Sequence, residues 1–157
     1  MSFRQILLSV AALVSFLGVI NAGYLAFTAL AGVAPTCNFL HGCEVVAASP
    51  YSKVFGIPLA LFGVFFYVVT FGLSVWGFFV REKIFIHLFA LFAVPGFLLS
   101  LYFLYLQAYR IGAFCEYCLF SLFDASVLFV IALILYIRFR NERTHSASGI
   151  DSGIINT

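Results

Sequence analysis

Residues 114–124 read FCEYCLFSLFD. Two cysteines three positions apart, Cys115 and Cys118, head a stretch that then stays apolar to about residue 137, with Asp124 its one charge. At 1.5 Å of rise per residue, about 20 apolar residues cross the hydrocarbon core of a bilayer. The stretch therefore reads as a membrane helix with a dithiol at its mouth. The rest of the chain agrees. Of its 157 residues, 64% are hydrophobic and 9% charged, where soluble domains are about half apolar and a quarter charged. Mean hydropathy is +1.15. The apolar runs are long and unbroken, whereas barrel strands would alternate in polarity, so an all-α integral membrane protein is expected.

Four spans follow: residues 6–31, 55–80, 84–108 and 115–137, forming a four-transmembrane-helix bundle. The first is longer than a secretory signal core and no small-x-small cleavage site follows it cleanly, so it is read as a retained span. Between spans one and two lies the long polar loop GVAPTCNFLHGCEVVAASPYSK, residues 32–53, whereas Arg81-Glu82-Lys83 alone joins spans two and three. Residues 1–140 form the membrane domain, and 141–157 a polar tail expected to be disordered. In this arrangement Arg4, Arg81, Lys83, Arg138, Arg140 and Arg143 share one side; Lys53 and Arg110 share the other. Six against two places both termini in the cytoplasm and the 32–53 loop outside.

Helix parity puts all four cysteines on one side whichever way the bundle is oriented. Outward-facing thiols meet an oxidising compartment, where cysteines pair. Cys37 and Cys43 lie six apart in the outer loop, opposite the start of span four. At that helix start, Cys115 meets unpaired backbone N–H groups and the positive end of the helix dipole. Both favour the thiolate, the reactive form of the thiol. Cys118 lies on the same face, one turn deeper toward lipid. One thiol thus touches the watery loop and the other a molecule dissolved in the bilayer, an arrangement suited to an electron relay. Two alternatives use the same residues. Four cysteines also make two structural disulfides in a non-enzymatic scaffold, or supply zinc ligands together with His41. The six-residue spacing and oxidising side weigh against zinc, and no metal is expected.

Taken together, Cys37, Cys43, Ser49 six residues on, FGIP at residues 55–58 and CEYC at the head of span four resemble the vitamin K epoxide reductase family. The likeness covers about residues 5–138 and is nearest to bacterial homologues that reoxidise thiol-disulfide oxidoreductases. It implies a four-helix bundle holding a quinone (ubiquinone, menaquinone or a vitamin K type) near its outer face. Cys115 and Cys118 would be the active pair, with Cys118 passing electrons to the quinone. Cys37 and Cys43 would be the shuttle, Cys37 meeting the partner and Cys43 exchanging with Cys115. Ser49 would hydrogen-bond a quinone carbonyl, and Phe114 would wall the ring. Since the chain carries no thioredoxin-like domain, the partner would be a separate thioredoxin-like thiol oxidoreductase. The implied place is the bacterial cytoplasmic membrane with the site facing the periplasm or exterior, and no nucleic acid is involved. Two departures argue against epoxide as the natural substrate. Animal members place a tyrosine four residues after the second active cysteine, where Leu122 stands, and an asparagine in a span near the quinone. No asparagine occurs here between residues 39 and 140. The other bacterial quinone-linked disulfide generators carry their two cysteine pairs in the reverse order.

Three further residues stand out. Asp124 lies within the apolar layer, where an ionisable group is a functional candidate or a carboxyl hydrogen-bonded to Ser121 or Ser126. Glu116 and Arg110 are expected to be solvated. Pro58 is expected in the first turn of span two, where its missing N–H costs little.

Overall fold

The structure is a computed structural model that describes residues 2–39, 41–79 and 83–154. Its elements, in chain order, are α1 (Phe3–Ala31), α2 (Cys43–Ala48), a 3-10 turn (Pro50–Ser52), β1 (Lys53–Val54), β2 (Ile57–Pro58), α3 (Leu59–Phe79), α4 (Lys83–Leu106), a π turn (Gln107–Ile111) and α5 (Glu116–Ile154). Among the described residues, four helical segments are long and apolar enough to cross a membrane: Phe3–Ala31, Leu59–Phe79, Ile84–Ile111 and Glu116–Asn141. The expected four-helix membrane bundle is what the chain forms.

Local chemistry sets the helix ends. Ser2 caps α1 through a capping box with Gln5, and Gly32, at φ 67°, closes it in the left-handed region that suits glycine. The start of span two departs from expectation. Residues 53–58 form a two-residue antiparallel ribbon turning at Phe55 (φ 51°) and Gly56 (φ 81°), and Pro58 belongs to β2. Proline fits there because a short edge ribbon asks for few N–H donors. Helix α3 begins at Leu59. Span four begins one residue later than expected, at Glu116, and the helical backbone runs on to Ile154 where a tail without regular structure is expected. Extending a formed helix needs no new nucleus, so a polar segment follows it more readily than its composition alone indicates. The junction expected at residues 81–83 falls largely outside the described residues.

Small residues set the helix spacing. Gly18 of α1 receives the ring of Tyr67 from α3, Gly77 that of Phe85 from α4, and Gly96 of α4 that of Phe66. Without a hydrophobic drive between helices in lipid, such close approach supplies the packing. The buried core includes Leu8, Ala11, Tyr67, Phe85, Phe89, Leu128 and Leu135. Phe27, Phe65, Leu91 and Phe123 point outward, as a lipid-facing surface requires. Away from the cysteines, Arg4 donates to the Gly77 carbonyl at 3.0 Å, and His87 packs edge-on against Tyr136 and Phe139.

Candidate functional site

All four cysteines gather at one end of the bundle. Cys37 and Cys43 form a disulfide, while Cys115 and Cys118 are free thiols. The second pair owes its setting to the way α5 begins. The Cys115 carbonyl accepts the first helical bond, from Leu119 N–H at 3.1 Å, so Cys115 is the residue that caps the helix. Its sulfur stands where a capping oxygen would, with the N–H groups of Tyr117 and Cys118 favouring its thiolate. The Cys115 thiol is pulled down to about 7 from the ordinary 9.0, chiefly by a hydrogen bond from the Cys118 thiol. Burial opposes the shift, the two N–H groups add to it, and the Glu116 carboxylate pushes the other way. The largest cause is the neighbouring thiol, where the sequence pointed to the helix start; the N–H groups of the first turn contribute less.

Cys115 is also anchored from behind. Gln107 is 3% exposed, and its Oε1 accepts the Cys115 N–H at 2.8 Å. The residue opens the π turn that ends span three, and Gly112, at φ 70°, closes that turn with an N–H bond to the Gln107 carbonyl at 2.9 Å. Single π turns inserted in α-helices occur often at functional sites.

The two residues between the free cysteines hold the loop that carries the other pair. Glu116 was expected to be solvated. Its carboxylate instead accepts from the N–H groups of Asn38 at 3.0 Å and Phe39 at 2.9 Å. Loop amides there have no ladder partners, and an acceptor-only carboxylate satisfies two at once. The Tyr117 hydroxyl donates to the Thr36 carbonyl at 3.0 Å. Beneath these bonds Gly42 lies on the backbone of Phe114, leaving no room for a Cβ. Cys43 next to it is 1% exposed and Cys115 2% exposed, while Cys37 is only partly buried.

Asn21, in the middle of α1, was passed over in the sequence. Its Nδ2 donates to the Tyr117 carbonyl at 3.0 Å and to Ser121 Oγ at 2.9 Å, tying α1 to the first turns of α5. An amide deep within a largely apolar span was the signal that could have pointed to it. Asp124 is 2% exposed and its Oδ2 has no hydrogen-bond partner among the described residues. Ser126 donates to the Leu122 carbonyl instead, and no bond from Ser121 to the carboxyl is found among the described residues.

A cavity of about 630 Å³ lies against this end of the bundle, and Cys43, Cys115, Cys118, Ser49, Gln107 and Tyr67 are among its lining residues. That volume falls within the roughly 300–1,000 Å³ of small-molecule sites, and walls such as Phe66, Pro95, Leu99 and Phe103 are apolar. The size and chemistry fit a flat, lipid-soluble ring. Ser49 lines the cavity, but its hydroxyl donates to the Val46 carbonyl at 2.7 Å. Phe114 is 41% exposed and is not among the lining residues; it meets the loop through its backbone. His41 is exposed.

No curated protein matches the sequence. The model of the Vitamin K epoxide reductase family matches residues 9–133, which takes in all four cysteines and all four spans.

Proposed function

Since the chain belongs to the vitamin K epoxide reductase family, a family of membrane oxidoreductases, we propose that it is a quinone-linked, disulfide-forming enzyme. It takes two electrons from a separate thioredoxin-like dithiol protein and passes them through Cys37/Cys43 and Cys115/Cys118 to a membrane quinone. The supporting observation is that the disulfide loop is docked on the free pair, and that Cys43, Cys115 and Cys118 line one apolar cavity. When bound, a ubiquinone, menaquinone or vitamin K-type quinone supplies a two-electron, two-proton acceptor and leaves as quinol. The membrane is the bacterial cytoplasmic membrane, with both termini inside and the cavity end outside.

The exchange proceeds by thiolate attack. The partner's dithiol reduces Cys37–Cys43 and departs as a disulfide. The Cys43 thiolate then attacks Cys115 of the oxidised inner pair, which joins Cys43 to Cys115 and releases Cys118; Cys118 takes up a proton and becomes the thiol. Cys37 attacks Cys43, re-forms Cys37–Cys43 and expels Cys115. A thiol held near 7 leaves readily, which drives this last step forward. The outcome is an outer disulfide over an inner dithiol, the arrangement seen in the structure. Cys118, the deeper thiol of the inner pair, then gives up the electron pair, and Cys115–Cys118 closes again.

The test is quinol formation by purified protein given a reduced thioredoxin-like protein and a soluble quinone. Cys118→Ala is expected to abolish turnover with every reductant. Cys43→Ala should block oxidation of the protein partner and largely spare direct reduction by a small dithiol. Undiminished turnover in Cys118→Ala overturns the reading; equal loss of both activities in Cys43→Ala removes the outer pair from the relay.

A further inference from the structure

A quinone presents two opposed carbonyl oxygens, both hydrogen-bond acceptors, so the cavity must supply donors. Most of its hydroxyls have none to give. Thr28 donates to the Leu25 carbonyl at 3.0 Å, Ser49 to Val46 at 2.7 Å and Ser52 to Ser49 at 2.8 Å. Tyr67 donates to Ser121 at 3.0 Å and Ser100 to Gly96 at 2.9 Å. Tyr51 and Lys53 stand exposed on the outer segment.

Two lining side chains differ. The Gln107 amide is oriented by the Cys115 N–H on its oxygen. Its Nε2 makes one long contact, 3.4 Å to the Phe103 carbonyl, and an amide nitrogen carries two N–H donors. Ser121 differs from most of the helical hydroxyls. Serine and threonine in membrane helices can return their proton to the carbonyl four residues back, and Thr70, Ser74, Ser100 and Ser126 do so, whereas Ser15 Oγ has no partner among the described residues. For Ser121 that carbonyl belongs to Tyr117, and Asn21 donates both to it and to the Ser121 oxygen. Asn21 competes for the carbonyl, and no bond donated by the Ser121 hydroxyl is found among the described residues.

We propose that Gln107 Nε2–H and Ser121 Oγ–H are the donors that hold the two carbonyl oxygens of a quinone, with Asn21 the positioning residue that frees the Ser121 proton. One donor is bonded to the backbone of Cys115 and the other sits one turn beyond Cys118, so ring and thiols share one frame. The assignment rests on the quinone reading above. It is tested on the full chain with both cysteine pairs oxidised, titrated with duroquinone, whose fully substituted ring thiols cannot arylate. Calorimetry gives the dissociation constant, and infrared spectroscopy gives the carbonyl stretch of the bound quinone. Ser121→Ala and Gln107→Leu are each expected to weaken binding roughly threefold to tenfold and to move the stretch toward that of free duroquinone. Asn21→Ala should act as Ser121→Ala does, Ser121→Thr should restore binding, and Ser126→Ala, outside the cavity, should change neither signal. Since Gln107 also anchors Cys115, the Ser121 variants carry the test if Gln107→Leu does not fold. Wild-type binding with an unshifted stretch in the Ser121 variants overturns the donor assignment and leaves the quinone reading standing. No binding by the wild type overturns both.

Discussion

The two cysteine pairs use the same element in opposite ways. Cys37 and Cys43 sit on irregular chain that is fastened by side chains from elsewhere: Glu116, Tyr117 and the backbone of Phe114. Cys115 and Cys118 sit on a helix start whose N–H groups, buried glutamine and neighbouring thiol fix both position and acidity. A loop held by a few hydrogen bonds opens at low cost, because such segments lie at the low end of local stability. A capped helix end in a packed bundle does not. On the function proposed above, this difference would separate the tasks: the loop pair would meet the partner, and the helix pair would keep a tuned thiolate beside an apolar cavity.

The largest effect that sharpens this comparison is on acidity. Cys115 should titrate near 7 in the reduced protein, followed by thiolate absorbance in a Cys37→Ala/Cys43→Ala background. Removing the main cause with Cys118→Ala should move that midpoint up toward 9.0, a change approaching a hundredfold in acidity. The sign for stability follows. The folded value lies below the unfolded one, so Cys115 stabilises the reduced fold above 9.0, and that contribution is lost as pH falls through about 7. A midpoint still near 7 in Cys118→Ala would assign the shift to the helix N–H groups instead, making the first turn rather than the dithiol the tuning device.

A smaller effect tests the docking of the loop. In Gly42→Ala the new Cβ would lie 2.8 Å from the Phe114 nitrogen and closer still to its carbonyl oxygen. Backbone on both sides cannot yield as a flexible side chain does, so the loop must shift. Because a misplacement of about 1 Å costs up to a hundredfold in a positioned reaction, transfer between the pairs should slow by on the order of tenfold. The Cys115 titration should stay near 7. If both change together, loop and helix start are one rigid unit and the contrast between them fails.

What was legible in the sequence follows the same division. The four spans, and the gathering of the cysteines at one end, follow from apolar length and helix parity, which need no tertiary contact. The tuned thiol at a helix start was readable because capping is local chemistry. Glu116 was misread since its partners, Asn38 and Phe39, lie 78 and 77 residues away. Asn21 was missed because its partners lie 96 and 100 residues away, and nothing in α1 reveals them. The commitment of the Ser49 proton to Val46 is local, but it depends on how α2 ends at Ser49, which spacing does not settle.

The smallest effect concerns the clamp itself. Glu116→Gln keeps the shape of the side chain but leaves one oxygen where two accept loop amides. Hydrogen bonds to a charged acceptor are worth about 1.5–3 kcal/mol when buried, and exposure discounts them. Transfer from the outer to the inner pair should therefore slow about threefold, measured by rapid acid quench and mass spectrometry of alkylated thiols. Direct reduction of Cys115–Cys118 by a small dithiol should stay the same or quicken, because loosening the loop uncovers the inner pair. The two readouts then move in opposite directions, which simple loss of folded protein does not produce. A variant that leaves transfer between the pairs unaltered would show that Gly42 on Phe114 docks the loop alone, and that the carboxylate serves only to satisfy two loop amides.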